Sequence, residues 1–379
     1  MRFITVLLSL ILFISLPGLA QDEPPKELSK ELTKTYRAYN KAYAEGDAER
    51  AAELAKKVLT VAKRELGPDH SRIPILQINL AHILVLLHRL DEAEPLLLAA
   101  GAGLIKHNGK DDLNLTTVYE NMAKVYASRK ELDKSRKELD KAIAVLTSKH
   151  GPEHAGIADL MVQQAALDLA ANNIEAAKKM YDKALTIYEQ QYGADSLQTA
   201  AVFSRQGDVN LLQKDFENAE QKYLAAHRIY VDKLLEDDAI VLASHSRLAK
   251  LYIAQRDDRF AGHADTVIKY SPKQDGPAVP LFVLRPKYPI FEDGTRPQGW
   301  SLLEFAVNAN GRVVKPKVVE SWPGKLFDQV SMEVAPEWRF KPKVVEGKRV
   351  AQDKTRVRLV FRQENIEVYF GEVKFETGG

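Results

Sequence analysis

Nine histidines and no cysteine limit the chemistry open to this chain of 379 residues. Thiolate metal sites and thiol nucleophiles are excluded, because both need the sulfur. His150 and His154 have the four-residue spacing of a helical ligand pair, but Gly151-Pro152 between them breaks the helix such a pair requires. On local spacing the nine histidines offer no metal set. Gly101-Ala102-Gly103 precedes no phosphate-binding context and reads as a helix end. The paired carboxylates Asp111-Asp112 and Asp237-Asp238 fall at helix starts, where the helix dipole favours them. The sequence has no Ser/His/Asp order, no phosphate loop and no His-Glu-x-x-His. No catalytic residue, cofactor or metal is assigned, and the chain reads as one that binds rather than catalyses.

What recurs instead is a spacing, and the spacing defines the elements. Gly67, Gly109, Gly151 and Gly193 return every 42 residues. Ala81, Ala123, Ala165, Gly207 and Ala249 keep the same interval, as do Ala51, Ala93, Ser135, Ala177, Ala219 and Ala261. A period of this length is the mark of stacked supersecondary units, each too small to bury its apolar face alone. Within one period Ile75, Ile78, Ala81 and Ile83 face inward at helical spacing, and His88-Arg89 turns the chain. Leu90, Ala93, Leu96, Leu97 and Ala100 then form a second stripe. The small residues belong where two antiparallel helices cross closely, and Gly-Pro-Asp-His ends one helix before Asp or Ser caps the next.

These positions resemble the tetratricopeptide family, in the longer version found in kinesin light chains. The family's pattern of small, small, large and small residues reads as Ala123, Ser135, Leu139, Ala142, and again as Ala165, Ala177, Tyr181, Ala184. It recurs as Gly207, Ala219, Tyr223, Ala226. About six units are expected over residues 27–270, the first and last degenerate because a terminal repeat meets solvent on one side. The resemblance implies a groove lined by the first helix of each unit, suited to an extended peptide or a partner helix. Its positions include Ile78, His82, Glu120, Lys124, Val162, Ser204, Asp208 and Lys250. The alternative for each is a solvated face residue.

After residue 270 the period stops. Residues 271–282 open with Ser271-Pro272-Lys273-Gln274-Asp275-Gly276-Pro277 and read as a turn-rich linker. Residues 283–363 have a different texture. Strands are expected at 300–308 and 313–320, joined by the hairpin dipeptide Asn310-Gly311. A helix follows at 327–334, with Phe327, Val330 and Val334 on one face, and then strands at 339–345 and 355–361. The fold class is multidomain, an all-α solenoid followed by a small α+β domain. The module is similar to the C-terminal domain of the TonB family. The similarity rests on Tyr288-Pro289, Gly299, Asn310-Gly311, Ser321-Trp322-Pro323-Gly324, Phe327-Asp328, Trp338-Arg339-Phe340-Lys341-Pro342 and Gly347.

That resemblance implies binding of TonB-dependent outer-membrane transporters, whose short N-terminal segment pairs with a sheet edge. The expected edge is Thr355, Arg356, Val357, Arg358, Leu359, Val360 and Phe361, with Arg356 and Arg358 on one face and Val357 and Leu359 on the other. Trp338, Arg339 and Phe340 are read as core packing and a helix contact. The tail, residues 364–379, alternates Ile366, Val368 and Phe370 before Val373 and Phe375, and is expected to pair with that same edge.

Residues 1–20 read as an export signal, with Arg2, an apolar run and Pro17-Gly18-Leu19-Ala20 before a cleavage point. The alternative is an uncleaved anchor, the one condition under which membrane association is expected. A formal charge of +2 gives no reason to expect nucleic acid as a partner. The reading is a periplasmic adaptor for protein or peptide partners. Its rivals are a membrane-anchored energy transducer and an envelope assembly scaffold that binds no receptor.

Overall fold

The computed structural model describes residues 29–290, 294–363 and 365–371. The expected export signal at 1–20, and Val373 and Phe375 of the tail, lie outside them. Among the described residues no helix is long and apolar enough to cross a membrane.

Among the described residues, twelve helices come first, in six pairs: α1 (Lys30–Ala44) with α2 (Ala48–Leu66), α3 (Ile73–Leu86) with α4 (Leu90–Asn108), and α5 (Asn114–Ser128) with α6 (Leu132–His150). The later pairs are α7 (Ala155–Ala170) with α8 (Ile174–Tyr192), α9 (Leu197–Leu212) with α10 (Phe216–Lys233), and α11 (Ala239–Gln255) with α12 (Phe260–Lys269). The chain divides between Gln191 and Tyr192 into two compact units.

The small residues sit where helices meet. Ala51, Ala81, Ala93, Ala165, Ala177, Ala219 and Ala249 are all fully buried. Ser135 on α6 donates its hydroxyl to the Ala123 carbonyl of α5 at 2.8 Å, so the two small positions of one pair touch. At Gly207 a Cβ would come within 2.6 Å of the buried Tyr223 ring, which is why glycine stands there.

The turn inside each pair carries another 42-residue register. Gly46, His88, Lys130, Asn172, Lys214 and Arg256 all have left-handed backbone, with φ between 57° and 74°. After each of the last five, the next amide reaches back to a carbonyl of the first helix, as in Arg89 to Leu84 at 2.8 Å and Asn173 to Asp168 at 2.7 Å. This closing bond satisfies an orphan helix carbonyl. It holds lysine, histidine and arginine in a conformation that costs each roughly 1 kcal/mol.

The second unit contains α9 to α12 and the carboxy-terminal module. The module comprises β1 (Val279–Phe282), β2 (Gly299–Val307), β3 (Val313–Trp322), α13 (Asp328–Val334), β4 (Arg339–Lys341), β5 (Lys343–Val345), β6 (Lys348–Val350), β7 (Gln352–Arg362) and β8 (Asn365–Phe370). Its main sheet is antiparallel with order β3-β2-β7-β8, while β1 pairs with β4 and β5 with β6. Strand β2 alternates strictly: Ser301, Leu303, Phe305 and Val307 face the core and their neighbours face out. One core cluster runs from Tyr223, Leu248, Tyr252 and Phe260 of the helices to Phe282, Phe305, Trp338, Phe340 and Phe361 of the module.

The stretch expected to be a linker is therefore structured. Strand β1 lies within 271–282, and the Asp275 carboxylate accepts from the Glu346 and Gly347 amides at 2.9 Å each.

Candidate functional site

On the first helices of the repeat pairs, polar side chains meet across neighbouring helices. His82 on α3 contacts Asn121 on α5 at 3.1 Å, and Asn121 donates to the Thr117 carbonyl of its own helix. Burial pushes the His82 pKa down, with Lys124 adding to the effect. Burial pushes the Glu120 carboxyl up, while the charge of Lys124 opposes the shift. Thus His82, Glu120 and Lys124 form one electrostatic group. In the second unit Asp208 on α9 accepts from Arg247 of α11 at 3.0 Å and from the Tyr223 hydroxyl of α10 at 2.8 Å. Val162 is half-buried, and Lys250 is exposed.

Two expected groove positions need correction. Ile78 and Ser204 are 5% and 4% exposed. Both point into the helix packing, because they lie beside the small crossing residue on the same helical stripe.

The sheet edge also differs from expectation. Thr355, Arg356, Val357, Arg358, Leu359, Val360 and Phe361 lie on β7, an interior strand bonded to β2 on one side and β8 on the other. Val357, Leu359 and Phe361 are fully buried, while Arg356 and Arg358 lie on the opposite face, as the alternation predicts. The physical reason for the changed edge is the tail. Residues 365–370 fold back as β8 and pair Ile366 with Phe361, Val368 with Leu359 and Phe370 with Val357. Ile366 is buried, and the Phe370 ring packs edge-on against Trp338 and Phe340 at 6.2 and 5.9 Å. Among the described residues, the sheet's edges are β3 and β8. Strand β3 is guarded by Lys315, Pro316 and Lys317 and by two register shifts, all devices that discourage strand pairing.

Arg339 is buried at 4% exposure in the module and donates its Nε to Asp265 of α12 at 3.1 Å. Arg312 donates to the other oxygen of that carboxylate at 2.5 Å. Arg349 donates to the Ile268, Lys269 and Ser271 carbonyls, closing the C-terminal end of α12, where a cation is favoured. Three module arginines thus hold the last helix of the array. Trp338 donates its indole N–H to the Leu284 carbonyl at 2.8 Å and is fully buried. The Trp-Arg-Phe signature is accordingly core packing and a helix contact, as read from the sequence.

On the outer face of the sheet, Glu304 receives Lys317 at 3.0 Å, Arg356 at 2.9 Å and Lys354 at 3.7 Å. Lys317 and Arg356 hold its carboxyl at about 2, against an ordinary value of 4.5. A depressed folded-state value means the stabilisation is complete above pH 4.5 and disappears as pH falls through about 2. Glu304→Gln is expected to lower the module's unfolding midpoint near neutral pH and to match the wild type at about pH 2. Tryptophan fluorescence at stepped pH checks this, because all three tryptophans, Trp300, Trp322 and Trp338, lie in the module.

The reading that the histidines offer no metal set is also corrected. His227, His245 and His263 come from three helices, and one potential ligand atom of each lies within 4.8 Å of the others. Their intervals of 18 residues are too long for a local motif, and only the repeat packing brings them together.

The geometry defines a helical-repeat protein with an antiparallel-sheet module built onto its last helices. The tetratricopeptide repeat models match residues 42–72, 114–190 and 164–231, and the Gram-negative bacterial TonB protein C-terminal model matches 285–362. Protein TonB of Pseudomonas aeruginosa is 31% identical over 83 residues, which are 22% of this chain and 24% of that protein. The chain thus spans about a quarter of the length of that curated relative. Among solved structures, the quorum sensor NprR from B. thuringiensis aligns with TM-score 0.50 at 15% identity, covering 65% of this chain and 67% of that one. BtubC from P. vanneervenii aligns with TM-score 0.48 at 19% identity, covering 62% and 90%. The chain carries tetratricopeptide repeats followed by a TonB C-terminal domain. Both are protein-interaction module types, which supports protein binding as the role of the chain.

Proposed function

We propose that the chain is an adaptor working in the periplasm of a Gram-negative envelope. Its sheet module takes an extended segment of an envelope protein, such as the N-terminal stretch of a TonB-dependent transporter, by strand pairing. The observation that carries this reading is the position of β8. The TonB match ends at residue 362, and β8 begins at Asn365, directly beyond it. A strand outside the shared module fills the place beside β7 that a partner strand would need. We place the binding strand at Thr355, Arg356, Val357, Arg358, Leu359, Val360 and Phe361, with β8 as an internal competitor that a partner must displace.

Displacement is a near-exchange of like for like. The partner replaces the same backbone hydrogen bonds and fills the same alternate positions with apolar side chains. Weakening β8 should therefore strengthen partner binding. Phe370→Ala removes about 2 kcal/mol of strand docking, and the affinity for a labelled transporter N-terminal peptide should rise tenfold or more. Fluorescence anisotropy measures it. Unchanged or weaker binding excludes displacement, and binding to neither form rejects the transporter reading in favour of an assembly scaffold. A mature N-terminus at Gln21, read by mass spectrometry, separates the periplasmic adaptor from an anchored transducer. The groove positions His82, Glu120, Lys124 and Val162 of the first unit are proposed to serve a second protein ligand, and Asp208 and Lys250 are proposed separately as a contact of the second unit.

A further inference from the structure

The imidazoles of His227 on α10, His245 on α11 and His263 on α12 gather at one half-buried point of the second unit. Nδ1 of His245 lies 2.8 Å from Nδ1 of His263, so either one proton or one cation belongs between two ring nitrogens. The third ring has its tautomer fixed. Ser244 Oγ donates to the Val241 carbonyl at 2.7 Å and so accepts from Nδ1–H of His227 at 2.8 Å. That leaves Nε2 of His227 unprotonated, and an outer partner on one nitrogen is how ligand histidines are commonly oriented.

We propose that His227, His245 and His263 form a three-nitrogen site for a divalent transition metal, with zinc as the reference ion, leaving one coordination position open. Imidazole suits zinc, copper and nickel, and the chain has no thiolate to compete for them. Zinc–nitrogen bonds of about 2.0–2.1 Å in tetrahedral geometry put ligand nitrogens roughly 3.3 Å apart. His245 and His263 need separate by only about half an ångström to reach that spacing. The open position would take water or a side chain of a bound partner.

The site would have a mechanical consequence. It joins α10, α11 and α12, and His263 stands two residues before Asp265, the carboxylate that holds Arg339 and Arg312. Metal binding should therefore stabilise the helix on which the sheet module rests.

The test is calorimetric titration of zinc chloride into the untagged, chelator-stripped full chain near pH 7.5. We expect saturable one-to-one binding, weakened at least about 100-fold in His245→Ala and at least about tenfold in His227→Gln. A double variant, His150→Gln with His154→Gln, removes a histidine pair outside the triad, stacked with ring centroids 4.5 Å apart, and should bind as the wild type does. If His245→Ala loses its helical circular dichroism, His227→Gln and the zinc absorption edge of the wild type, which should report three nitrogen ligands, carry the test. No binding to the wild type overturns the proposal. So does binding that survives in the folded triad variants or disappears with the His150/His154 pair.

Discussion

Gly299→Ala is expected to destabilise the carboxy-terminal module by about 3 kcal/mol or more. Gly299 begins β2, and an added Cβ would sit 2.1 Å from the Trp322 carbonyl oxygen, 2.4 Å from Phe327 Cε2 and 2.7 Å from Pro323 Cδ. The first of these is backbone of the neighbouring strand, paired at Trp300–Trp322. The second belongs to a fully buried ring stacked on Phe361 at 4.2 Å. Neither has a flexible end that can swing aside, so relief requires the β2–β3 pairing to open. Denaturant unfolding followed by tryptophan fluorescence should show the shift. A change below about 1 kcal/mol would mean that β2 and β3 are farther apart at this end.

Asp265→Ala should cost a similar amount, about 3 kcal/mol, for an electrostatic reason. Arg339 is almost wholly buried and its charge is answered by the Asp265 carboxylate. The Pro336, Glu337 and Trp338 carbonyls also accept from its Nη1, but they supply no negative charge. Removing the carboxylate leaves a buried cation unpaired, and Arg312 loses the same partner. Asp265 itself is about a third exposed, so water offsets part of the loss and places the effect at the lower end of the range for buried pairs. A double-mutant cycle with Arg339→Met isolates the pair, with an expected coupling of about 1.5 kcal/mol or more. Additive single effects would show that the contact holds nothing together.

The second of these concerns a junction between α12 and the module that no local signal in the sequence marks. The 42-residue period, the small crossing residues and the hairpin at Asn310-Gly311 are local signals, and the structure follows them. The left-handed turn residues were not legible, because Lys130, Lys214 and Arg256 have no intrinsic preference for that backbone. Only the closing hydrogen bonds of the turn hold them there. The tail's alternation of Ile366, Val368 and Phe370 was readable as a strand pairing with Thr355–Phe361, and the structure closes that pair as a tight hairpin with Arg362 opposite Asn365. Ile78 and Ser204 looked like groove positions because counting along a helix gives the angle of a side chain and not the depth of its neighbours. The histidine cluster and the Asp265–Arg339 pair join residues 18 to 74 positions apart, beyond any spacing motif.

Strand β8 is proposed to hold the place of a partner strand beside β7. Hydrogen exchange of the full chain, with and without a saturating transporter N-terminal peptide, tests it most directly. Amides of residues 365–370 should lose protection on peptide addition while those of residues 352–362 stay protected, because the new strand replaces β8 along β7. Peptide binding with β8 still protected would contradict it and would place the partner on another surface.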